Sequence, residues 1–398
     1  MKRIMIIGAG FLQTFVIKKA KELGYYTIAI DGNPDAEGFK FCHEYKPVNI
    51  IDPEACLEYA KEMNIDGVLT AATDYGVISM AYVAKELGLP AINLESAMCI
   101  KNKYQVRRKL AEADADDTGM CFEVSDIGDL TSIKSHIKYP VMVKPCDGSG
   151  SRGAAKVDSW ELLEEACKIA IDCSLTSKAL IEPFIENGTE YGAESFVYNG
   201  EVYVLGIMKK HMTKPPYYAE LGHQIPSELD CAMENKVRDC VTKAIKALGV
   251  NHGSVNMDML ITKEGSVHIV DIGARMGGNL IGSHIIPIGT GIMYMENMIK
   301  AAVGDKADFS AANPPHPVAT RLLALTPGVV DELPDFDSIA EENDVTIEHH
   351  LSAGDTINEY HTNLDGCGYV VATASIVKTA NEKAEKTLNE IDSGIKRK

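Results

Sequence analysis

Two aspartates are spaced so that they can face each other across a strand hairpin. The period-two runs 254–262 and 267–275 flank a short polar turn. With the four-residue loop 263–266, counting outward from the turn places Asp258 directly opposite Asp271. Opposed residues of an antiparallel pair have Cβ atoms about 4.5 to 5.5 Å apart, so two like charges there need a compensating cation. Hard carboxylate oxygens with room for water and phosphate suit Mg²⁺, with Mn²⁺ as an alternative.

The alternative for this hairpin is a pair of solvated aspartates, since a register error of one residue would separate them. The other face of both runs is apolar, however, and consists of Met257, Met259, Ile261, Val270 and Ile272. This pattern is typical of a half-buried sheet and favours the metal interpretation. Arg275 would point the same way as Asp271 if its strand continues.

A lysine at a predicted strand end precedes a loop rich in glycine and serine. Lys144 is followed by Pro145-Cys146 and the loop 147–153, which contains three glycines, two serines and an arginine. Glycine allows close backbone approach and serine adds donors, so the loop could cradle phosphate oxygens together with Lys144. It is not a P-loop, because no Gly-Lys-Ser/Thr follows. Taken alone, a plain flexible turn is an equal alternative.

The segment 180–190 predicts a strap along a nucleotide. A strand that runs out through Pro183 has free backbone groups suited to an adenine edge, and Glu190 could accept the ribose hydroxyls. An edge strand followed by a glycine turn is the alternative. Lys209, Lys210 and Lys214 form a cationic cluster that could bind an acidic substrate or be a solvated face.

These residues need strands and helices to position them. Residues 1–95 alternate predicted strands at 3–7, 27–30 and 67–69 with predicted helices at 13–23, 53–63 and 77–87, which indicates a parallel βαβ domain. A boundary falls near residue 100, followed by a helix with Lys103 and Arg107 and an Asp-rich stretch at 114–117. The middle section is α+β, with predicted strands at 139–145 and 179–184, a helix at 159–173 and a hairpin turn at Asn199-Gly200. After about residue 305 a last piece has predicted strands at 319–325 and 368–375 and a helix at 380–391.

Composition excludes several classes of protein. With 398 residues, two or three domains are expected. The net charge of −18 disfavours nucleic acid as a partner, and no apolar run reaches the roughly 20 residues of a membrane helix. The ten cysteines are scattered without zinc spacing, as expected for reduced thiols of a cytoplasmic protein. Small-molecule substrates fit better, and the sequence is compatible with a homodimer.

The order of these features resembles the ATP-grasp superfamily: a lysine, a glycine-rich loop, a Glu-Pro-Phe-Ile strap and a carboxylate hairpin that ends in arginine. The resemblance covers nearly the whole chain. It implies a fold of α/β and α+β parts: a pre-ATP-grasp Rossmann-like βαβ domain at 1–100, a two-lobed ATP-grasp domain at 101–305 and a small C-terminal α+β subdomain at 306–398.

Carried over residue by residue, the resemblance implies a nucleotide, a metal and a catalytic set. Asp258 and Asp271 would bridge the metal, Lys144 and Arg275 would act in catalysis, and Arg275 would bind the substrate carboxylate or acyl phosphate. The nucleotide set is Lys103, Lys144, Asp147, Gly148, Ser149, Gly150, Ser151, Arg152, Gly153, Glu182, Pro183, Phe184, Ile185 and Glu190.

Two departures from the family pattern concern the metal. The family more often has Glu-x-Asn-x-Arg where this chain has Asp271-Ile-Gly273-Ala-Arg275. The second carboxylate is one methylene shorter and an amide ligand is missing, so one or two metal ions both stay open; water or Asn279 could replace the amide. The run 273–279 is similar to the branch of the superfamily that includes L-amino-acid (dipeptide) ligases. The resemblance also extends to carbamoyl-phosphate-synthase-like and biotin-carboxylase-like members.

The resemblance implies an ATP- and Mg²⁺-dependent ligase that converts a small carboxylate into an acyl phosphate and joins it to an amine. Within the superfamily, the alternative is a bicarbonate-using or purine-pathway ligase. Outside it, Gly8-Ala9-Gly10 and Asp31 leave an NAD(P)-dependent oxidoreductase open, although Gln13 stands where a third glycine belongs. A non-catalytic nucleotide-binding regulator is the remaining hypothesis.

Overall fold

The computed structural model describes residues 1–148, 153–214 and 217–398. Its N-terminal part is a parallel sheet covered by helices, which confirms the βαβ prediction. The strands β1 (Arg3–Ile7), β2 (Tyr26–Asp31), β3 (Glu44–Pro47) and β4 (Gly67–Thr70) lie in the order β3-β2-β1-β4, with helices α1 (Phe11–Glu22), α2 (Pro53–Met63) and α3 (Val77–Leu87). β1 is almost continuously buried because helices cover both faces. β3 was not predicted, since it is an exposed edge strand without an apolar pattern.

Two helices and a small sheet follow. Helices α4 (Leu94–Lys101) and α5 (Lys103–Glu112) lead into strands β5 (Phe122–Val124), β6 (Val141–Pro145), β7 (Ala155–Val157) and β8 (Ala179–Pro183), which lie in the order β5-β8-β6-β7 with helices α6 (Leu130–Ile133) and α7 (Trp160–Cys173). The apolar residues of this sheet and α7 form a core cluster of their own. The strand β6 therefore holds Lys144 on a separately packed unit.

The next segment builds most of a large antiparallel sheet. It contains β9 (Thr189–Tyr198), β10 (Glu201–Met212), β11 (Glu220–Ile225), helix α8 (Cys231–Ala247), β12 (Gly253–Ile261) and β13 (Val267–Gly273). The turn between β9 and β10 has Asn199 and Gly200 both at positive φ, 52° and 80°. This conformation is the one that Asn-Gly favours in tight hairpins, and the predicted hairpin is confirmed.

The large sheet continues across the predicted boundary at residue 305. After the π-helical turn Ile281–Ile285 come α9 (Ile286–Thr290), α10 (Tyr294–Ala302), β14 (Val318–Leu322), β15 (Gly328–Glu332), α11 (Phe336–Asn343), β16 (Val345–His349), β17 (Thr356–Ile357), β18 (Gly368–Thr373), α12 (Val377–Gly394) and β19 (Lys396–Arg397). The sheet order is β13-β12-β9-β10-β11-β14-β18-β16, and β17-β15-β19 form a small separate sheet. Strands of the middle and the C-terminal parts thus share one sheet.

Close backbone contacts join the N-terminal sheet to the segment after β13. Ala71 forms a parallel bridge with Met276, and the Ala72 N–H donates to the Met276 carbonyl at 3.0 Å. At the first residue of β4, a β-carbon on Gly67 would lie 2.4 Å from the Ala302 carbonyl oxygen. Glycine at this position therefore allows the end of α10 to approach β4. These contacts fix the loop after β4 beside the end of the hairpin.

The described residues contain neither a helix that could span a membrane nor a disulfide bond. In residues 1–148, 153–214 and 217–398, no helix has both the length and the apolar character to cross a bilayer. All ten cysteines lie in these ranges, and each is a free thiol.

The outer edge of the large sheet is covered by the Asp-rich stretch. The Val267 N–H donates to Asp117 Oδ2 at 2.8 Å and the Ile269 N–H donates to Asp116 Oδ2 at 3.0 Å, so carboxylates take the place of a neighbouring strand along β13. This satisfies N–H groups at an edge that would otherwise be open to further strand pairing. It also holds the strand that carries Asp271.

We expect Asp116→Ala to destabilise the protein by about 1 to 3 kcal/mol, because it leaves the N–H of the buried Ile269 without an acceptor. The free energy of unfolding from urea titration measures this loss. Glu112→Ala, at an exposed position of α5, is the control and should change it by less than about 0.5 kcal/mol. Equal stability of Asp116→Ala and the native chain would contradict the role given to this carboxylate.

Candidate active site

The hairpin of β12 and β13 brings the two predicted aspartates together. Asp258 pairs directly with Asp271, as predicted, although the counting that led there was wrong in one respect. Ile261 pairs with Val267, so the loop is one residue longer than the predicted 263–266. A β-bulge between this pair and the aspartates restores the register, because β13 contains one extra residue there.

The bulge leaves one backbone carbonyl free to accept hydrogen bonds from side chains. Pairing skips Val270, and its carbonyl oxygen accepts hydrogen bonds from Arg107 Nη2 at 2.7 Å and from Lys144 Nζ at 3.3 Å. The first donor belongs to α5 and the second to β6. The extra residue therefore ties the small sheet and α5 to the hairpin. No feature of the sequence predicted this bulge.

Each of the two aspartates has its own lysine. Lys103 Nζ forms an ion pair with Asp271 Oδ1, and Lys210 Nζ lies 2.9 Å from Asp258 Oδ1. Both carboxylates are partly exposed, with side-chain exposures of 47% for Asp271 and 34% for Asp258. Partial burial raises the pKa of Asp271 and Lys103 lowers it, to a net value of about 2. Partial burial raises the pKa of Asp258, although Lys210 opposes this.

Lys144 is anchored by a buried ion-pair triad. Glu182 Oε1 lies 2.6 Å from Lys144 Nζ, and Glu182 Oε2 lies 2.7 Å from Arg107 Nε. Burial raises the pKa of Glu182, but Arg107 and Lys144 outweigh it and bring the pKa down to about 2. Burial also lowers the pKa of Lys144 against the pull of Glu182. Arg107 was not assigned to the site, yet its position four residues after Lys103 places both on one face of α5.

The described part of the predicted phosphate loop is held by its first residue. Ser149, Gly150, Ser151 and Arg152 lie outside the described residues. The Asp147 carboxylate accepts hydrogen bonds from Ser174 Oγ at 2.8 Å and Thr176 N at 2.8 Å, so its side chain is bonded to the turn after α7. Gly148 lines the cleft, and Gly153 adopts φ +71°.

The strap is less free than the sequence predicted. Glu182 and Pro183 pair with β6, and the Phe184 N–H donates to the Pro140 carbonyl at 3.1 Å. Ile185 follows, half-buried, where the strand has ended.

Glu190 lies beside the ion pair of Asp258 and Lys210, since its Oε2 is 3.8 Å from Lys210 Nζ. Burial and the nearby Asp258 and Glu220 carboxylates raise the pKa of Glu190 to about 7, against Lys210.

Arg275 points to the N-terminal sheet. Its Nε lies 2.9 Å from Asp74 Oδ1 and its Nη2 donates to Asp74 Oδ2 at 3.1 Å, a two-point ion pair. Burial lowers the pKa of Arg275, but Asp74 raises it overall, so the guanidinium stays charged. No pattern in the sequence connects Asp74 with Arg275, because 201 residues separate the partners.

Behind Arg275, a fully buried carboxyl group braces the glycine segment. Glu194 Oε1 accepts from Tyr294 Oη at 2.5 Å and from the Gly277 N–H at 3.1 Å, and Glu194 Oε2 accepts from Asn256 Nδ2 at 2.9 Å. Burial raises the pKa of Glu194 to about 7, although these donors oppose it. Sequence reasoning missed Glu194, which stands among apolar strand residues.

A third carboxylate reaches the cluster from β11. Glu220 forms an ion pair with Lys210 and also accepts from Asn363 Nδ2 at 2.8 Å and from Asn279 Nδ2. Burial raises the pKa of Glu220, but Lys210 lowers it to about 2. The C-terminal part of the chain thus contacts the site directly. No spacing in the sequence relates Glu220 to the hairpin.

The parts meet around one cleft. Its lining comes from the N-terminal part, α4, α5, the phosphate loop and the end of β13, and consists of Asp74, Val77, Ile78, Ala97, Ile100, Lys101, Lys103, Asp147, Gly148, Asp271, Ile272, Gly273 and Ala274.

The donor set fits a metal that arrives with a nucleotide. Mg²⁺ usually takes one or two carboxylates and completes its shell with water and phosphate. Asp271 lines the cleft, and its pairing partner Asp258 is partly exposed beside it, so both offer such oxygens. Across residues 1–148, 153–214 and 217–398, no group of three or more histidine, cysteine or acidic side chains is arranged to hold a metal by itself.

The glycine turn of the N-terminal sheet does not favour the oxidoreductase hypothesis. Asp31 Oδ2 accepts from the Ala9 N–H at 2.8 Å and Asp31 Oδ1 accepts from the Asn33 N–H at 2.9 Å. The carboxylate that a ribose would need is therefore bonded to the turn itself. The segment around Gly38 also packs on this turn, since the Gly38 N–H donates to the Ala9 carbonyl at 2.7 Å.

The chain is similar to known proteins in sequence and in fold. Over 340 residues the chain is 25% identical to an uncharacterized protein of Sinorhizobium fredii, covering 84% of this chain and 69% of that protein. The L-amino acid ligase from Bacillus licheniformis has a similar fold, with a TM-score of 0.84 at 22% identity, covering 100% of this chain and 99% of that one. So has the phosphoribosylglycinamide synthetase from Anaerococcus prevotii, with a TM-score of 0.81 at 24% identity and coverages of 100% and 99%.

Two family models match the chain itself. Residues 137–283 match the ATP-grasp domain, and residues 321–396 match the L-amino acid ligase C-terminal domain 2. The first span contains Lys144, the strap and the whole hairpin of Asp258 and Asp271. The chain therefore contains an ATP-grasp domain, and its C-terminal segment is similar to the C-terminal domain 2 of L-amino acid ligases.

Proposed function

We propose that the protein is an ATP- and Mg²⁺-dependent ligase that activates a small carboxylate as an acyl phosphate and joins it to an amine. The observation that carries the proposal is the direct pairing of Asp258 with Asp271 at a cleft that also contains Lys103 and Gly273. Two opposed carboxylates need a cation, and the neighbouring lysines offer charge for phosphates.

In this proposal the nucleotide lies between the small sheet and the hairpin. Lys103 and Lys144 bind phosphate oxygens, and the loop 147–153 covers them. The Glu182 triad keeps Lys144 in place, so the lysine needs no reorganisation when the nucleotide binds. Adenine contacts fall to the strap at Glu182, Pro183, Phe184 and Ile185, and Glu190 accepts the ribose hydroxyls.

Asp258 and Asp271 would hold the metal, with Glu220 as a further carboxylate nearby. The metal supplies charge neutralisation for the phosphates and orients them. The protein's own residues position the reactants and exclude water, so that an acyl phosphate survives until the amine attacks.

Arg275 binds the acid substrate. The substrate carboxylate takes the place of the Asp74 carboxylate at the two-point contact, which preserves the charge balance of the guanidinium. One carboxylate oxygen then attacks the γ-phosphorus, and the bond to ADP breaks. The amine nitrogen attacks the acyl carbon, phosphate leaves, and the nitrogen gives up its proton to solvent.

Amino acids are the first substrate class to examine, as acid and as amine. The C-terminal domain match and the fold of the Bacillus licheniformis L-amino acid ligase support this choice. Bicarbonate is the substrate of the alternative within the superfamily. ADP release that requires both an acid and an amine supports ligation, whereas release with bicarbonate alone moves the chain to the carboxylase-like branch.

We expect Asp271→Asn to lower substrate-dependent ADP release by about 100-fold or more, because it removes one of two metal-facing charges. Glu264→Gln, in the exposed turn of the same hairpin, is the matched control and should keep full activity. ATP with Mg²⁺ should also raise the melting temperature of the native chain, and NADH should not. Unchanged turnover of Asp271→Asn would refute the metal assignment.

Arg275→Lys should raise KM for the acid substrate by about 10- to 100-fold, with KM for ATP nearly unchanged, because lysine cannot reproduce the two-point contact. Steady-state ADP release at varied acid concentration measures this. Arg108→Lys on the exposed face of α5 is the control. A larger effect on ATP than on the acid would place Arg275 in the nucleotide site instead.

Glu182→Gln should destabilise the protein by about 3 to 5 kcal/mol, since it leaves Arg107 and Lys144 buried without their anion. The pKa of Glu182 falls from 4.5 to about 2 on folding, so its stabilising contribution is complete above pH 4.5 and is lost as the pH falls towards 2. Urea unfolding across this pH range should show a steeper loss for the native chain than for Glu182→Gln. Equal changes of unfolding free energy with pH in both proteins would contradict the role given to Glu182. The exposed Glu186→Gln is the control.

A further inference from the structure

Lys210 occupies an unusual position for a lysine. Its side chain is only 2% exposed near the end of β10, and its ammonium group faces three carboxylates. It forms an ion pair with Glu220, lies 2.9 Å from Asp258 Oδ1 and lies 3.8 Å from Glu190 Oε2. The sequence placed Lys210 in a cluster with a solvated face as the alternative, and for this residue the alternative was wrong.

The charges around this ammonium group do not balance. One positive charge faces three carboxylates, two of which belong to the proposed metal and ribose sites. Burial lowers the pKa of Lys210, but Asp258, Glu220 and Glu190 outweigh it and raise the pKa overall, so the group stays charged. An ammonium ion compensates nearby anions without imposing the fixed coordination geometry that Mg²⁺ demands.

We propose that Lys210 is a resident counter-cation, which holds Asp258 while the nucleotide is absent and releases it when a divalent cation enters. The inference rests on the proposed function, because it takes Asp258 as a metal ligand. The geometry favours such an exchange. Asp258 is partly exposed, whereas Lys210 is buried and keeps Glu220 and Glu190 as partners after it releases Asp258.

The second aspartate has the same arrangement. Lys103 is 15% exposed and pairs with Asp271, which is 47% exposed. A divalent cation that enters alone must compete with both ammonium groups. When a nucleotide is bound, an ammonium group that has released its aspartate pairs with phosphate oxygens instead. The exchange therefore makes divalent-cation binding strong with the nucleotide and weak without it.

The test removes the resident charge and measures stability without any nucleotide. We expect Lys210→Met to lower the melting temperature by about 5 to 10 °C, because three neighbouring carboxylates lose their counter-charge. Millimolar MgCl₂ should restore most of this loss, and NaCl at equal ionic strength should not. The native chain should respond to MgCl₂ by less than about 1 °C. If Lys210→Met does not fold, Lys210→Gln replaces it.

Two controls are matched to the site. Lys209→Met alters the neighbouring lysine, which pairs with Glu228 at 2.9 Å, and should give no specific response to Mg²⁺. Lys210→Arg keeps the charge and should behave like the native chain. Adding Asp258→Asn to Lys210→Met should weaken the rescue by Mg²⁺, because the proposed ligand is gone.

The outcomes separate this inference from the proposed function. If Lys210→Met loses stability but Mg²⁺ restores no more than NaCl, Lys210 is an ordinary buried counter-charge and the inference fails. A strong stabilisation of the native chain by Mg²⁺ alone would also overturn it. Both measurements are made without ATP, so they stand whether or not the chain releases ADP with an acid and an amine.

Discussion

Electrostatic compensation of two opposed aspartates is the constraint on which the rest of this structure depends. Asp258 and Asp271 cannot face each other at a protein surface cleft without positive charge nearby. Lys210 meets this need from within the large sheet, and Lys103 meets it from α5. Two parts of the chain must therefore be folded against the hairpin before it is stable. The same requirement makes the site ready to accept a cation.

The charged residues of the candidate site come from separately packed units of the structure. The small sheet contributes Lys144 with its anchor Glu182, and the N-terminal sheet contributes Asp74. The C-terminal part extends the large sheet and contacts Glu220 through Asn363. In the described part of the chain, none of these units by itself contains all of the candidate site residues. Ligand binding can consequently be coupled to how these units sit against one another, as expected for clefts between domains.

The sequence predicted what local patterns determine and missed what long-range packing determines. Alternating strands and helices, the Asn199-Gly200 turn and the hairpin that carries Asp258 and Asp271 follow from short-range rules, but the register of that hairpin does not. The bulge at Val270 does not, because no residue type demands it, and the correct pairing came from two errors that cancelled. Glu194 was missed, since its partners Tyr294 and Gly277 are distant in the chain.

The buried cations have a kinetic consequence for a chain whose net charge is −18. An approaching nucleotide is repelled at long range by the acidic exterior and meets the site's lysines only after it enters the cleft. Added salt screens the outer repulsion over about a Debye length, roughly 8 Å at physiological ionic strength, but affects charges held inside the protein much less. Salt should thus hasten nucleotide association while its effect on dissociation stays small.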